Sequence, residues 1–337
     1  MHCTMESTII HYCDHGKYAL SFAVMNAAQG KFVTAGNLQL WTERFGDPEA
    51  PAVLLIMGTS TPGIGWPDEL VETLVDDGRQ VIRFDHRDTG LSTCVDFKAH
   101  PYKLADMAAD ALAVLDGHGI GAAHVVGASL GGAIAQWLAV HRPERVLTLV
   151  AIMAGPMGHD AREAWTRALA GQAPDPDDLP PPAPQWLQHL AELAQAPPTC
   201  REEQIASAVE TWRVLNGGQM PFDEDAARRI VELSRDQADA PTSAVNHDLA
   251  AKWMTPDRFE PLSSIKAPTL IVHGTADPLR PLPHGEALAA QIPGARLQPI
   301  PGMGHGFFSP QLPRRVAKLI LGHTKRLHEC VDRKMAD

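Results

Sequence analysis

Ser129 is a candidate nucleophile because it is the centre of a Gly-x-Ser-x-Gly pentapeptide, residues 127–131. The apolar run 123–126 precedes the pentapeptide, and a helix-compatible stretch, residues 132–139, follows it. This context predicts a strand-to-helix junction, where small neighbours permit the strained turn that lifts a serine hydroxyl clear of a sheet. The pentapeptide alone is a weak signal, since a glycine-flanked serine in an ordinary turn shows the same pattern.

A serine hydroxyl becomes a good nucleophile only beside a base that a carboxylate holds in place. Asp277 follows the apolar run 268–274, and His305 lies in a glycine-rich loop after the next predicted strand. Taken singly, Asp277 can be a turn residue and His305 an exposed loop histidine. Together, the three residue types occur in the required order, each after a separate predicted strand. They predict a catalytic triad with Ser129 as nucleophile, Asp277 as acid and His305 as base.

The negative charge that develops on the substrate oxygen during attack needs hydrogen-bond donors. The backbone N–H of Leu130 lies at the start of the helix predicted after the nucleophile, so it is the first candidate donor. The loop after the strand predicted at 52–57 can supply a second, and we predict the backbone N–H of Thr59. Residues 85–88 are charged, but they are expected to form a buried turn network rather than to act in the chemistry.

Composition limits the classes of partner. The chain has 337 residues, 45% of them hydrophobic, as in a globular enzyme. A net charge of −11 without a Lys/Arg run argues against nucleic acid and anionic membrane surfaces, and no apolar run is long enough to span a bilayer.

The five cysteines lack C-x-x-C spacing, which favours reduced thiols in the cytoplasm. The histidines lack zinc-site spacing, so neither a metal nor another cofactor is expected. The sequence does not indicate the oligomeric state.

Strand-like apolar runs alternate with helical patterns between residues 52 and 152 and again from residue 268, after a hairpin predicted over 33–45. This alternation predicts an α/β protein with a mostly parallel central sheet flanked by helices and with functional groups at the carboxyl ends of the strands. Strand patterns are missing over 156–260, which predicts an inserted, mainly helical cap. The predicted segments are an N-terminal extension (1–32), the first part of the core (33–155), the cap (156–260), the second part of the core (261–328) and a frayed, charged tail (329–337).

The extension is expected to be disordered, or not made if translation begins at Met25. A secretory signal is less favoured, because Asn26 interrupts the apolar stretch and its basic flank is thin. In the cap, four large side chains can line a pocket for a flat hydrophobic ligand, or can simply hold the cap together. These side chains are Trp186, Trp212, Met220 and Phe222.

With these motifs established, residues 33–326 resemble the α/β-hydrolase superfamily, and within it several stretches are similar to anthracycline-tailoring methylesterases such as aclacinomycin methylesterase. The similar stretches are 65–69, 85–90, 96–97, 99–102, 283–285 and 300–305. The resemblance implies an α/β-hydrolase fold, a helical cap over the pocket, and the methyl ester of a large aromatic polyketide as substrate.

By position, the resemblance assigns the same triad, Ser129, Asp277 and His305, and the same oxyanion donors, Thr59 and Leu130. The chain departs from the family pattern in three places. It carries the N-terminal extension, it has Thr59-Ser60 where a more open glycine-containing loop is usual, and it has Leu130 where methionine is common. These departures affect the shape of the pocket and therefore the substrate.

These features predict a cofactor-independent carboxylic ester hydrolase that forms an acyl-enzyme with a hydrophobic small-molecule ester. Three alternatives stay open. A cofactor-free haloperoxidase or perhydrolase and a carbon–carbon bond hydrolase would use the same triad, and a ligand-binding or sensor protein would keep the triad as a slow vestige. Dependence on halide and peroxide, cleavage of ring-cleavage diketones, and an acyl group retained after a single turnover would distinguish them.

Overall fold

A single mixed sheet forms the centre of the protein in the computed structural model, which describes residues 29–159, 161–237, 245–251 and 261–336. Its strands within these residues are β1 (Gln29–Ala35), β2 (Leu38–Phe45), β3 (Ala52–Ile56), β4 (Gln80–Phe84), β5 (Ala123–Ala128), β6 (Val146–Ile152), β7 (Thr269–Gly274) and β8 (Arg296–Ile300). Their order across the sheet is β1-β2-β4-β3-β5-β6-β7-β8. β2 runs antiparallel to both of its neighbours, and every other pair is parallel. The predicted mostly parallel sheet is therefore confirmed.

Helices cover both faces of this sheet. In chain order, the helices of the described residues are α1 (Asp68–Asp76), α2 (Leu104–Gly117), α3 (Leu130–His141), α4 (Arg162–Leu169), α5 (Pro184–Gln195), α6 (Arg201–Leu215), α7 (Glu224–Gln237), α8 (Asn246–Ala251), α9 (Pro283–Gln291) and α10 (Leu312–Ala336). One apolar core joins the sheet to α2, α3 and α9, and a second core joins its other face to α1 and α10. Among the described residues, no helix is long and apolar enough to cross a membrane.

The central strands are buried on both faces, as their continuous apolar sequences predict. All five residues of β3 are buried, and so are all six of β5. Leu54 and Val125 point into the core of α2 and α3, whereas Val53 and Val126 point into the core of α1 and α10. Each such side chain contributes about 1.5–3 kcal/mol when it leaves water, so these strands form a rigid base for the loops at their carboxyl ends.

The hairpin predicted at the start of the core forms between β1 and β2, with its turn at Gly36-Asn37. The predicted boundary at residue 33 is corrected, because β1 begins at Gln29 and its first residue pairs with Arg44. The polar sequence of residues 29–31 gave no strand signal, but these residues complete the backbone pairing of β2. The rest of the extension, residues 1–28, lies outside the described residues, as do the possible start at Met25 and the signal segment.

Helices α4 to α8 lie in the segment predicted to be a cap, and the described residues of 156–260 contain no strand. A small core of Ile205, Val209 and Val231 joins α6 to α7. At the other end of the chain, α10 continues to Ala336 and so runs through the tail that was predicted to fray from residue 329.

Candidate active site

Ser129 occupies the turn between β5 and α3 with φ 52° and ψ −114°. A positive φ is unfavourable for a residue with a Cβ atom and persists only where the surroundings fix it. The glycines of the pentapeptide allow the tight packing that does so. A Cβ atom on Gly127 would lie 2.0 Å from the carbonyl oxygen of Gly131, and one on Gly131 would lie 2.0 Å from that of Ile56. The close approach of α3 to β3 and β5 therefore sets the position of the serine hydroxyl.

The structure brings the three predicted triad side chains together. Nε2 of His305 lies 3.0 Å from Oγ of Ser129, and its Nδ1 lies 2.7 Å from Oδ2 of Asp277. The other carboxylate oxygen, Oδ1, accepts hydrogen bonds from the backbone N–H groups of Leu279 and Arg280 at 2.9 and 2.7 Å. An ionised carboxylate can only accept, so Nδ1–H of His305 donates to it and Nε2 is left to accept the serine proton.

The loop that carries His305 is held between the sheet and the cap. The backbone N–H of His305 donates to the carbonyl oxygen of Leu215, at the end of α6, at 2.7 Å. A Cβ atom on Gly304 would lie 2.2 Å from the same oxygen, so the glycine permits this approach. The loop after β8 is also tied to the loop after β7, since Ala276 N–H donates to the carbonyl oxygen of Met303 at 3.0 Å. The base is therefore positioned by the core and the cap together.

The two backbone groups predicted to bind the oxyanion flank the nucleophile. The loop after β3 passes beside it, and a Cβ atom on Gly58 would lie only 3.3 Å from Cβ of Ser129. Thr59 follows Gly58, and Leu130 is the first residue of α3. An N–H at the start of a helix has no partner within the helix and lies at its positive end. The roles of Thr59 and Leu130 stay predictions.

A cavity of about 560 Å³ opens above Ser129 and His305 and is walled by both core and cap. Its large apolar side chains include Trp165, Trp186, Leu190, Trp212, Leu215, Phe307 and Phe308. A mostly apolar cavity of this size fits a hydrophobic small molecule whose reactive group reaches the polar groups at one end.

Two of the four predicted pocket residues, Trp186 and Trp212, line this cavity. The prediction was wrong for Met220 and Phe222, which lie outside its wall. Met220 packs against the core of α1 and α10. Phe222 packs on the ring of Phe308, at a centroid distance of 6.4 Å, on the α6–α7 side of the cap. Apolar character alone did not show which cap side chains face the core and which face the ligand space.

Sequence reasoning missed Arg280 and the pair Phe307-Phe308, all of which line the cavity. Their positions carried a usable signal, because they lie two or three residues after Asp277 or His305, in the loops at the carboxyl ends of the strands. Burial lowers the pKa of the Arg280 guanidinium, and the nearby carboxylate of Asp277 partly offsets this effect. Arg280 places a positive charge in the wall near the triad acid.

Two buried histidines support this part of the wall. Nε2–H of His273 donates to the carbonyl oxygen of Arg280 at 2.7 Å, which closes the turn that begins at Asp277. Nε2–H of His284 donates to the carbonyl oxygen of Pro180 at 2.9 Å and so joins α9 to the cap segment. Burial lowers the pKa of both histidines, that of His284 to about 4. Both are uncharged at neutral pH.

Residues 85–88 form a buried network outside the cavity wall. The carboxylate of Asp85 accepts hydrogen bonds from the backbone N–H groups of Gly63 at 2.7 Å and Leu91 at 2.9 Å. Burial raises the pKa of Asp85 to about 6, although these two bonds oppose the rise. Asp88 accepts a hydrogen bond from the Tyr102 hydroxyl at 2.6 Å. The network fixes the loop after β4, which agrees with a structural role.

The family model for the α/β-hydrolase fold matches residues 51–310. The chain belongs to the α/β-hydrolase family. It is 41% identical over 300 residues to rhodomycin D methylesterase DnrP of Streptomyces peucetius, a match that covers 88% of this chain and 98% of that protein. It is 40% identical over 299 residues to rhodomycin D methylesterase DauP of Streptomyces sp. strain C5, with the same coverage.

The fold is similar to that of a hydrolase from Pseudomonas aeruginosa PA01, at 26% identity and a TM-score of 0.62 over 87% of this chain and 97% of that one. An esterase from Exiguobacterium antarcticum, at 20% identity, shares the fold with a TM-score of 0.68 over 88% of this chain and all of that one.

Proposed function

We propose that this protein is a serine carboxylic ester hydrolase that cleaves a methyl ester on an aromatic polyketide or a similar hydrophobic small molecule. The observation that carries the proposal is the hydrogen-bonded series Ser129, His305 and Asp277 at the end of an apolar cavity. The similarity to two rhodomycin D methylesterases supports the methyl ester and the polyketide class.

In the first half of the reaction, Oγ of Ser129 attacks the ester carbonyl carbon while Nε2 of His305 takes the hydroxyl proton. Asp277 stabilises the imidazolium that forms, through its 2.7 Å hydrogen bond to Nδ1. The carbonyl oxygen becomes an oxyanion, which the backbone N–H groups of Thr59 and Leu130 stabilise. When the tetrahedral intermediate collapses, Nε2–H of His305 gives its proton to the leaving methoxide oxygen, and methanol departs.

In the second half, a water molecule replaces methanol. Nε2 of His305 takes a proton from this water as its oxygen attacks the acyl carbon, and the same two N–H groups stabilise the second oxyanion. Collapse breaks the bond to Oγ of Ser129, which recovers its proton from Nε2–H. The products are the free carboxylic acid and the regenerated enzyme. No cofactor is required by these steps.

The test is hydrolysis of a panel of methyl esters, from simple aryl esters to anthracycline-type aglycones, with mass spectrometry of the acid and quantification of methanol. Ser129→Ala, purified in parallel, is the matched control. We expect equimolar acid and methanol from the wild type and preference for the multi-ring esters. Methyl ester cleavage that persists unchanged in Ser129→Ala would refute the mechanism, and cleavage of simple esters alone would refute the substrate class.

The other activities considered for the triad are less well supported, because two relatives that are 41% and 40% identical to this chain are named as methylesterases. Assays with halide plus peroxide and with ring-cleavage diketones test them directly. A sensor protein would show one turnover with a retained acyl group, which intact-mass measurement would detect.

We also propose that the protein acts in the cytoplasm and does not bind nucleic acid. The exposed thiol of Cys200 is free, and the five cysteines show no C-x-x-C spacing, which suits a reducing compartment. The net charge of −11 opposes binding to phosphate backbones. Cell fractionation with an antibody to the native protein tests the location.

A further inference from the structure

His247, in α8, is fully buried and uses both of its ring nitrogens. Nδ1 accepts a hydrogen bond from the backbone N–H of Ser60 at 2.9 Å, and Nε2 contacts the carbonyl oxygen of Arg87 at 2.8 Å. A backbone N–H can only donate and a carbonyl oxygen can only accept. The two contacts therefore fix the neutral imidazole with its hydrogen on Nε2.

We propose that His247 is a positioning residue for the oxyanion hole. It holds the loop after β3 in the conformation that presents the backbone N–H of Thr59 to the substrate oxygen. The inference rests on the proposed function, because His247 can have this role only if the loop stabilises an oxyanion. Ser60 is 187 residues from His247 in the chain, so the contact is made by the fold and not by local sequence.

The backbone conformation of the loop after β3 explains why contacts from outside the loop are needed to hold it. Ser60 has φ 58°, in the left-handed region that a residue with a Cβ atom rarely adopts. Such a conformation is strained and persists only where neighbouring groups hold it. The bond from Ser60 N–H to His247 is such a restraint, and it acts on the peptide group directly after Thr59.

A second restraint lies on the other side of Thr59. Nε2–H of His86 donates to the carbonyl oxygen of Met57 at 2.9 Å. The rings of His86 and His247 contact each other edge to face at a centroid distance of 5.6 Å. The two histidines thus hold the loop on both sides of Thr59, and both are attached to the loop after β4.

The position of α8 connects this restraint to the ligand space. Asp248, the next residue, lines the cavity. Asn246, the preceding residue, donates from Nδ2 to the carbonyl oxygen of Val95 at 3.0 Å. One short helix of the segment inserted between β6 and β7 therefore reaches the cavity wall, the loop after β4 and the oxyanion loop.

Two conservative variants separate the two hydrogen bonds of His247. In His247→Asn, the side-chain oxygen can occupy the place of Nδ1 and still accept from Ser60 N–H, but the donor to Arg87 is lost. In His247→Gln, the amide can reach the place of Nε2 and still donate to Arg87, but the acceptor for Ser60 is lost. Asn246→Ala is the control, because it removes an anchor of α8 that does not touch the oxyanion loop.

The measurements are kcat and KM with p-nitrophenyl butyrate, and the affinity of a boronic acid, whose tetrahedral adduct with serine places an oxygen in the oxyanion hole. Complete loss of one donor lowers turnover by about 10²- to 10³-fold. We expect a misplaced donor in His247→Gln to lower kcat by about 10- to 100-fold, with KM within about threefold and boronic acid affinity reduced in parallel. His247→Asn should recover most of kcat, and Asn246→Ala should stay within about threefold of the wild type.

Equal losses in His247→Asn, His247→Gln and Asn246→Ala would overturn the proposal, because anchoring of α8 alone would then explain them. A His247→Gln enzyme with unchanged kcat and boronic acid affinity would also overturn it. Circular dichroism and thermal unfolding identify any variant that fails to fold. If His247→Gln fails to fold, His247→Asn decides the inference: boronic acid affinity within about threefold of the wild type supports it, and affinity more than about tenfold weaker than that of Asn246→Ala overturns it. If the wild type cleaves p-nitrophenyl butyrate but no methyl ester, the proposed substrate fails while this test still applies.

Discussion

Nε2 of His305 lies 3.0 Å from Oγ of Ser129, although the two residues are 176 positions apart in the chain. The contact depends on two loops at the same edge of the sheet, one after β5 and one after β8. Parallel strands place their carboxyl ends at the same edge of a sheet. The two residues are therefore close in space although they are far apart in sequence. The cap contributes as well, through the bond from His305 N–H to Leu215.

Asp277→Asn should lower kcat by about 10⁴-fold with little change in KM. Oδ1 of Asp277 accepts from the backbone N–H groups of Leu279 and Arg280, so the oxygen of the new amide would keep that place. Its NH₂ group would then face Nδ1 of His305 and force the hydrogen onto Nε2, where the base must be free. Steady-state kinetics with a methyl ester tests this expectation. A kcat within tenfold of the wild type would contradict the role of the acid.

Ser129→Gly should stabilise the fold while abolishing activity. Ser129 has φ 52°, which is strained for serine and accessible to glycine. Relief of this strain, less the greater entropy that glycine has in the unfolded chain, is expected to add about 1 kcal/mol to the free energy of unfolding. Ser129→Ala is the control, because it removes the hydroxyl and keeps the Cβ atom. Urea unfolding of both variants gives their free energies of unfolding, and the difference between them reports the backbone strain at position 129. A glycine variant less stable than the alanine variant would contradict this strain.

Much of the scaffold could be predicted from the sequence because its signals are local. The apolar runs of β3 and β5 are continuous, as burial on both faces requires. The pentapeptide around Ser129 specifies a strand-to-helix turn by its glycines. Asp277 and His305 follow strands, so their place at the edge of the sheet is a consequence of topology.

Other features depend on contacts that no local pattern encodes. Phe222 has the same apolar character as Trp212, but it packs on the α6–α7 side of the cap and outside the cavity. His247 stands in no motif, and its importance appears only through a contact with Ser60 from a distant part of the chain. The start of β1 at Gln29 was missed because its polar residues are ordered by pairing with β2 and not by burial.

Trp186→Ala should weaken substrate binding. Trp186 is 8% exposed and lines the cavity, and removal of a large aromatic wall residue enlarges the space around a flat ligand. We expect KM for a multi-ring methyl ester to rise about tenfold, as loss of roughly 1.4 kcal/mol of binding requires. Phe222→Ala is the matched control, since it removes an aromatic side chain of the cap outside the cavity. A tenfold rise in KM in both variants would show that cap stability, and not contact with the ligand, is responsible.

The free energy of unfolding should fall as the pH drops from 7 to 5, and His284 should account for a measurable part of the fall. Burial lowers the pKa of His284 from 6.5 to about 4. Between these two pH values the imidazole is protonated in the unfolded chain and neutral in the folded protein. The sign is therefore destabilising as the pH falls, by about 2 kcal/mol at pH 5 for this group. His86, whose pKa burial lowers to about 3, acts in the same direction. Asp85 has the opposite effect on stability. Burial raises its pKa to about 6, so as the pH falls the folded protein binds this proton before the unfolded chain does.

The variant His284→Gln separates the contribution of this histidine from the others. Its amide can still donate to the carbonyl oxygen of Pro180, the partner of Nε2 of His284, but it does not titrate. Urea unfolding of both proteins at pH 7 and pH 5 gives two differences in free energy of unfolding. We expect the difference to be smaller in the variant by about 2 kcal/mol. Equal differences in the two proteins would mean that His284 takes up its proton in the folded state as readily as in the unfolded chain, and the neutral, buried imidazole assigned to this wall would be wrong.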